Sequence, residues 1–369
     1  MRVLQLITQG RGGPVDHAVE VAIELARQGH DSHLAGPPGP HLAAAAEHAV
    51  TVHVAPVDRA GDLRGVGEVR RVLAAVDPDV VHLQDRRAGL VGRVLAGPRS
   101  VPTVYTLHGV PDRLAGLVPG NLPLARPRRR DRLRYLGLEG LLARTPRSAV
   151  VTPCQALAAY ARDHVGIAGH RVHAVPNGVG RHWLGQQTGP AADPGPVRVV
   201  WLGLMQPVKR LPDLVAAVDR VPGVRLRLVG DGPERSRVEA AAAGSTHPER
   251  FAFAGFDPDP VRALRAADVV ALPSAAEAFP MALLQAMALG RPVLATRVGG
   301  VPELVRHARD GLLVDAGDVG GLARALTDLA TDAVLRRRLG ESARLRVREN
   351  YAIDRTTRAL VDVYEGVAG

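Results

Sequence analysis

The sequence predicts an α/β protein built from two doubly wound parallel-sheet domains, and three observations carry that expectation. At 369 residues the chain exceeds what one hydrophobic core usually serves. Short Val- and Leu-rich runs alternate with longer stretches of helical periodicity, the rhythm of buried parallel strands joined by helices, and the alternation occurs as two series. Between the series lies GQQTGPAADPGP at 185–196, whose Gly, Pro and small polar residues neither pack nor hold regular structure.

In the first series a strand at 2–8 leads into a helix at 15–28, a helix at 63–76 precedes a strand at 80–83, and PTVYTLHG gives a strand at 103–108. The second series opens on VRVVWLG at 197–203 and continues through RLRLVGDG, RFAFAG, DVVALPS, RPVLATRVGG and DGLLV, each followed by a helical stretch. After Val334 the pattern is helical to the end, and the terminal ENYAIDRTTRALVDVYEG reads as a helix able to cross back to the first domain. The expected division is therefore 1–184 with the helix 350–369, a linker at 185–196, and 197–349. The apolar fraction of 46%, mostly Ala, Val and Leu with 3% aromatics, suits helices on Val-rich strands better than a β-sandwich.

The formal net charge is +10, yet the only lysine in the chain is Lys209. Where arginine has otherwise taken over, one surviving lysine hints at a site that needs a compact ammonium rather than a planar fork. Basic balance favours anionic partners, among them nucleoside diphosphates, anionic lipid surfaces and nucleic acid. Nucleic acid is disfavoured by the scarcity of aromatic platforms. The lone Cys154 excludes intrachain disulfides and Cys-cluster metal sites and fits a reducing cytoplasm. MRVLQLITQGRGG is too short an apolar run for a signal segment and reads as a first strand, and no run of about 18 apolar residues offers a spanning helix. Residues 125–144, ARPRRRDRLRYLGLEGLLAR, begin basic and put Leu133, Leu136, Leu141 and Leu142 roughly on one helical face. Such a stretch either lies on an anionic membrane at its inner face or packs its leucines on its own sheet.

The first loop, TQGRGGPVDHAVEVA, carries Gly10, Gly12 and Gly13 at a strand-to-helix turn, where backbone N–H groups and the helix N-terminus suit a diphosphate. A plain tight turn is the competing reading. The loop lacks the G-x-G-x-x-G spacing and downstream acid of dinucleotide dehydrogenases.

SAAEAFPMALLQAMALGRPVLATRVGGVPELV at 274–305, followed by DGLLVDAGD, resembles the donor-binding signature of retaining family 4 glycosyltransferases of the GT-B fold. WLGLMQPVKRLPDLVAAV, LVGDGPERSRVE, DPDVVHLQ, PTVYTLHG, VVTPCQALAAYARDHVGI and RVHAVPNGVG agree with that family in order and spacing, so the resemblance spans nearly the whole chain. It implies two facing Rossmann-like domains with an interdomain cleft, an N-terminal domain for a hydroxyl acceptor, and a C-terminal domain for a nucleotide-sugar donor. No metal and no cofactor beyond that donor are implied. Lys209 would neutralise the leaving diphosphate, Glu277 would accept hydrogen bonds from sugar hydroxyls, and Gln285, where the family carries a second acid, would contact the ribose. Gln285 lies eight residues after Glu277, about two helical turns, so both would face one ligand. Gly12, Gly13, Gly203, Gly230, Ala278, Phe279 and Met281 would complete the donor site. His108 would act near the transferred sugar or acceptor, with His82 and Gln84 at a neighbouring strand end; a buried structural role is the competing reading of His108. Asn177 and Gly178 read as a turn. Two departures stand out: Leu204 replaces a usual arginine, and Ala278 a usual glycine. They keep open a weakly active nucleotide-sugar-binding protein, and a nucleotide-sugar 2-epimerase with the same layout is the other alternative to a hexosyltransferase.

Overall fold

The computed structural model describes residues 1–59, 61–186, 195–257 and 259–369. The expected linker at 185–196 therefore lies largely outside the described residues. Two compact units emerge: Met1–Val118 with Arg126–Gly180 and Ile353–Gly369, and Pro119–Ala125 with Arg181–Ala352.

The first unit holds a seven-stranded parallel sheet made of β1 (Arg2–Leu6), β2 (Asp31–Gly36), β3 (Thr51–Val54), β4 (Val80–Leu83), β5 (Thr103–Thr106), β6 (Ser148–Thr152) and β7 (Val172–Ala174), in the order β3-β2-β1-β4-β5-β6-β7. The second holds six parallel strands, β8 (Val197–Leu202), β9 (Val224–Val229), β10 (Phe251–Gly255), β11 (Val269–Leu272), β12 (Val293–Thr296) and β13 (Gly311–Val314), in the order β10-β9-β8-β11-β12-β13. Each order runs outward from one central strand and then reverses, which creates a switch point at β1/β4 and another at β8/β11. Central strands such as β4, β11 and β12 are buried along their whole length, so their sequences are continuous apolar runs rather than alternating ones.

The last helix, Ile353–Ala368, belongs to the first unit. Ile353, Leu360, Val363 and Tyr364 pack on Val3, Val80, Val104 and Val151 of the sheet, together with Val21 and Leu25 of the helix Gly13–Arg27. Its start is fixed by Ile353 N–H donating to the Val179 carbonyl at 3.0 Å and by Thr356 Oγ1 donating to the Pro176 carbonyl at 3.0 Å. The turn at Asn177 and Gly178 abuts the same helix: a Cβ at Gly178 would meet Ile353 Cα at 2.8 Å. A second departure from simple sequence order is the segment Pro119–Ala125. It joins the second unit because Leu122 N–H donates to the Ala275 carbonyl at 2.8 Å. Among the described residues no helix is long and apolar enough to cross a membrane.

Candidate functional site

In the second unit the candidate residues Lys209 and Glu277 collect where the strand order reverses. Lys209 ends a single 3-10 turn, Pro207–Lys209, after β8, and Glu277 lies in the irregular stretch after β11, before the helix Met281–Ala288. The two loops are tied by Ala275 N–H donating to the Val208 carbonyl at 2.8 Å. That bond brings Lys209 Nζ to 2.5 Å from Glu277 Oε1. Ser274 Oγ donates to the same oxygen at 2.6 Å, and Thr296 Oγ1 holds the Ser274 carbonyl at 2.6 Å. The Glu277 backbone is gripped as well: its N–H donates to Asn121 Oδ1 at 3.2 Å. Gly299, at φ +46°, closes this arrangement, since a Cβ there would come 1.8 Å from the Glu277 carbonyl oxygen and 2.9 Å from Asn121 Oδ1. A side chain at 299 would push the Glu277 loop away.

The remaining expected donor contacts divide by burial. A Cβ on Gly230 would come 1.8 Å from the Gly203 carbonyl oxygen, so these two glycines let the loops after β8 and β9 nest against each other. Phe279 and Met281 are buried, and the Phe279 ring stands edge-on to Tyr351 with centroids 5.3 Å apart. Ala278 is half-buried beside Glu277. The expected spacing of Glu277 and Gln285 by two helical turns does not hold. Pro280 caps the helix, so only residues 281–285 of that stretch are helical, and Glu277 reaches the site from a loop while Gln285 sits buried on the helix. Leu204, where the resembled family carries arginine, is exposed just after β8.

In the first unit the corresponding point is organised by Asp85. It accepts from Thr8 N–H at 2.5 Å and Thr8 Oγ1 at 2.7 Å, and it caps the helix Arg86–Ala96 by accepting from the N–H groups of Arg87 and Ala88. One carboxylate thus joins the ends of β1 and β4 and starts the helix beyond. Gly12 and Gly13 open the helix Gly13–Arg27 on an exposed loop of this unit.

His82 and Gln84 are fully buried, and their polar atoms are engaged inside the unit. His82 bonds Tyr364 Oη at 2.7 Å through Nδ1 and Thr106 Oγ1 at 2.6 Å through Nε2. Gln84 Nε2 donates to Gln5 Oε1 at 2.6 Å, which turns its carbonyl oxygen toward His108 Nε2 at 2.9 Å. With an amide oxygen opposite, His108 carries its hydrogen on Nε2 and keeps a lone pair on Nδ1. The expectation that His82 and Gln84 touch an acceptor therefore gives way to a positioning arrangement, Gln5 to Gln84 to His108, behind the half-buried His108.

His17, like Asn121, is a residue that sequence reasoning missed. Its ring stands edge-on to His108 with centroids 5.1 Å apart, and its Nδ1 is buried with no hydrogen-bond partner among the described residues. Burial pushes His17 down to about 4. Burial first, and the neighbouring histidines second, hold His108 and His82 well below the usual histidine range. All three rings are neutral at pH 7, and His82 and His108 act as hydrogen-bonding groups rather than cations. Among the described residues no group of three or more His, Cys, Asp or Glu is placed to hold a metal ion.

Two family models match the chain: Glycosyltransferase Family 4 over residues 11–181 and Glycosyl transferases group 1 over residues 196–332. D-inositol 3-phosphate glycosyltransferase of Saccharomonospora viridis is 33% identical over 313 residues, 78% of this chain and 69% of that protein. N-acetyl-alpha-D-glucosaminyl L-malate synthase of Bacillus anthracis is 34% identical over 163 residues, 43% of each chain. Among solved structures, Anabaena Alr3699/HepE in complex with UDP and glucose superposes with a TM-score of 0.83 at 21% identity, covering 99% of this chain and 100% of that one, a likeness of GT-B fold. With both halves matched in order and a relative aligned over most of its own length, the chain belongs to glycosyltransferase family 4, the glycosyl transferases group 1.

Proposed function

We propose that the second unit holds a nucleoside-diphosphate sugar and that the chain transfers the sugar, with retention at the anomeric carbon, to a hydroxyl acceptor. The observation that carries this is the Lys209–Glu277 pair at the β8/β11 switch point, braced by Ser274, Asn121 and Gly299. Relatives named as glycosyltransferases, and a fold neighbour bound to UDP and glucose, support the same reading.

The pair divides the work. Lys209 presents a compact ammonium to the diphosphate as its bond to the anomeric carbon breaks, and stabilising that developing charge is the larger share of catalysis. Both side-chain bonds of Glu277 fall on Oε1, so Oε2 keeps its lone pairs for a sugar hydroxyl. The new bond from the acceptor oxygen forms on the face the diphosphate leaves, and a departing phosphate oxygen takes the acceptor proton. His108, fixed by Gln84, offers Nδ1 to a hydroxyl of the sugar or acceptor. Gln285 serves the ribose through an amide, a weaker acceptor than a carboxylate. No metal enters these steps. The buried thiol Cys154 fits a reducing cytoplasm.

Thermal melting with a panel of nucleoside diphosphates and their sugars tests donor binding, because a ligand of the native state raises the melting temperature. The expected outcome is a rise with a nucleotide sugar and, with a hydroxyl acceptor added, release of nucleoside diphosphate. Accumulation of an epimer of the donor without acceptor, or donor binding with no turnover on any acceptor, refutes the proposal.

A further inference from the structure

Residues 126–144 of the first unit form an outward ridge that sugar transfer leaves unused. A helical turn at Arg129–Arg132 runs into a π-helical turn at Leu133–Gly137 and then into the helix Leu138–Leu142. The π turn is closed by Leu138 N–H donating to the Leu133 carbonyl, a span of five residues. On a regular α-helix residues five apart point about 140° away from each other. The wider turn instead brings Leu133 and Leu138 to one side, and Leu141 follows three residues on. Leu133 is 75% exposed, Leu138 37% and Leu141 63%, and together with Arg130, Asp131, Arg134 and Tyr135 they line a shallow groove. The helical wheel read from the sequence chose Leu133, Leu136, Leu141 and Leu142. The π turn shifts the register, so Leu136 and Leu142 are half-buried while Leu138 is exposed.

The charges are sorted in the same direction. Asp131 turns back to accept from Arg128 N–H at 3.0 Å and to face Arg113 at 3.9 Å. Glu139 is paired with the buried Arg93 at 2.7 Å. Tyr135 carries Arg86 over its ring at 4.3 Å, and Gly140 is packed so tightly that a Cβ would meet the Val165 carbonyl oxygen at 2.7 Å. The inner side is thus pinned to the unit and both carboxylates are neutralised there. Every exposed charged side chain left from 126 to 144 is arginine: Arg126, Arg128, Arg129, Arg130, Arg132, Arg134 and Arg144.

We propose that this ridge docks the protein on an anionic phospholipid bilayer, with the leucines entering the headgroup boundary and the arginines contacting lipid phosphates. The pairing of an apolar row with a single-sign cationic flank fits that partner: arginines alone would suit any polyanion, and leucines alone any apolar face. This inference is independent of the donor chemistry proposed above and stands or falls apart from it.

Co-sedimentation of the full chain with phosphatidylcholine vesicles, with and without phosphatidylglycerol, tests it. Binding is expected only to the anionic vesicles and is expected to weaken as salt rises. Arg129→Gln and Arg130→Gln should each weaken binding about fivefold, the attraction expected of one cationic side chain near an anionic surface. The double variant Leu133→Glu, Leu141→Glu should abolish binding while its circular dichroism and melting temperature stay those of wild type, since both side chains are exposed. Equal binding to neutral vesicles overturns the proposal. So does a Leu133→Glu, Leu141→Glu variant that binds as well as wild type, which would mark the ridge as a site for soluble polyanions such as nucleic acid. Self-association of the protein that the same leucine variant abolishes overturns it too.

Discussion

Removing the ammonium of Lys209 separates catalytic from structural importance in the pair with Glu277. At 2.5 Å and an effective dielectric constant of about 20, their gross attraction is about 7 kcal/mol, most of it offset by the water both groups give up. The side chains are 20% and 9% exposed, which leaves a net coupling of about 1.5–3 kcal/mol, the usual range for a charge-assisted hydrogen bond. Lys209→Met should destabilise the second unit by about that amount, because Glu277 keeps only Ser274 as a side-chain partner. The double variant with Glu277→Gln should recover part of the loss, and the double-mutant cycle reads the coupling directly. Both tryptophans, Trp183 and Trp201, belong to the second unit, so urea unfolding followed by tryptophan fluorescence reports on that unit. Turnover should fall about 100- to 1,000-fold in kcat, the cost of deleting one group aimed at developing charge. A Lys209→Met protein with full kcat at saturating donor, however destabilised, would show the lysine to be a structural partner of Glu277 and would refute the assignment.

Two further expectations concern the first unit. Burial pushes His17 down to about 4 and, reinforced by the charge of Asp16, pushes Glu20 on the same helix up to about 7. The fold prefers neutral His17, so its contribution is whole above 6.5 and is lost as pH falls from 6.5 to about 4, at most about 3 kcal/mol. The fold also prefers protonated Glu20, whose contribution is whole below 4.5 and is lost as pH rises from 4.5 to about 7. Urea unfolding of wild type, His17→Leu and Glu20→Gln across pH 4 to 7 should give wild-type-minus-variant differences of opposite slope; parallel curves for all three would disprove the assignment. Separately, Gln84→Glu should set a carboxylate against His108 Nε2, raise the imidazole's affinity for protons and shift the acidic limb of the kcat profile upward, whereas Gln84→Leu should lower kcat without that shift. An unchanged pH profile in Gln84→Glu would remove His108 from the chemistry.

What the sequence made legible follows from how locally each feature is encoded. Strand ends were readable because a central parallel strand is an apolar run that stops where a glycine or polar loop begins, and β8 and β11 stop just before the loops carrying Lys209 and Glu277. That the last stretch is a helix was readable from its pattern, but its packing on the first unit and the residues at its entry, Val179 and Pro176, rest on contacts distant in sequence. Asn121 was invisible for a different reason. It lies 156 positions from the Glu277 amide it accepts from, and no spacing rule joins the two. His17 was hidden by its own helix, where a histidine within an apolar stripe reads as core. The π turn escaped the helical wheel because a change in hydrogen-bond span leaves no mark in hydrophobic periodicity.

The two switch points are built by one device used to different ends. At β1/β4 Asp85 bridges loop and helix with its charge spent on Thr8 and on backbone N–H groups, so the carboxylate is structural and the polar atoms beyond it belong to neutral rings and amides. At β8/β11 the bridging carboxylate, Glu277, is held by its backbone through Asn121 and by a single side-chain oxygen, and its partner is an ammonium at the end of one short turn. The first arrangement is closed: hydrogen-bonded, buried and suited to presenting hydrogen bonds. The second is open: on the proposed function, Lys209 would turn from Glu277 to an incoming phosphate without dismantling any backbone bond that holds the loop. A cation that must follow charge from ground state to transition state has to sit where its resting partner is anchored independently of it, and Ser274 with Asn121 gives Glu277 that anchorage. If Lys209 has the proposed role, the same reasoning would account for the surviving lysine: a flexible point charge can exchange partners across a short distance, whereas an arginine locked into two parallel bonds would have to break both.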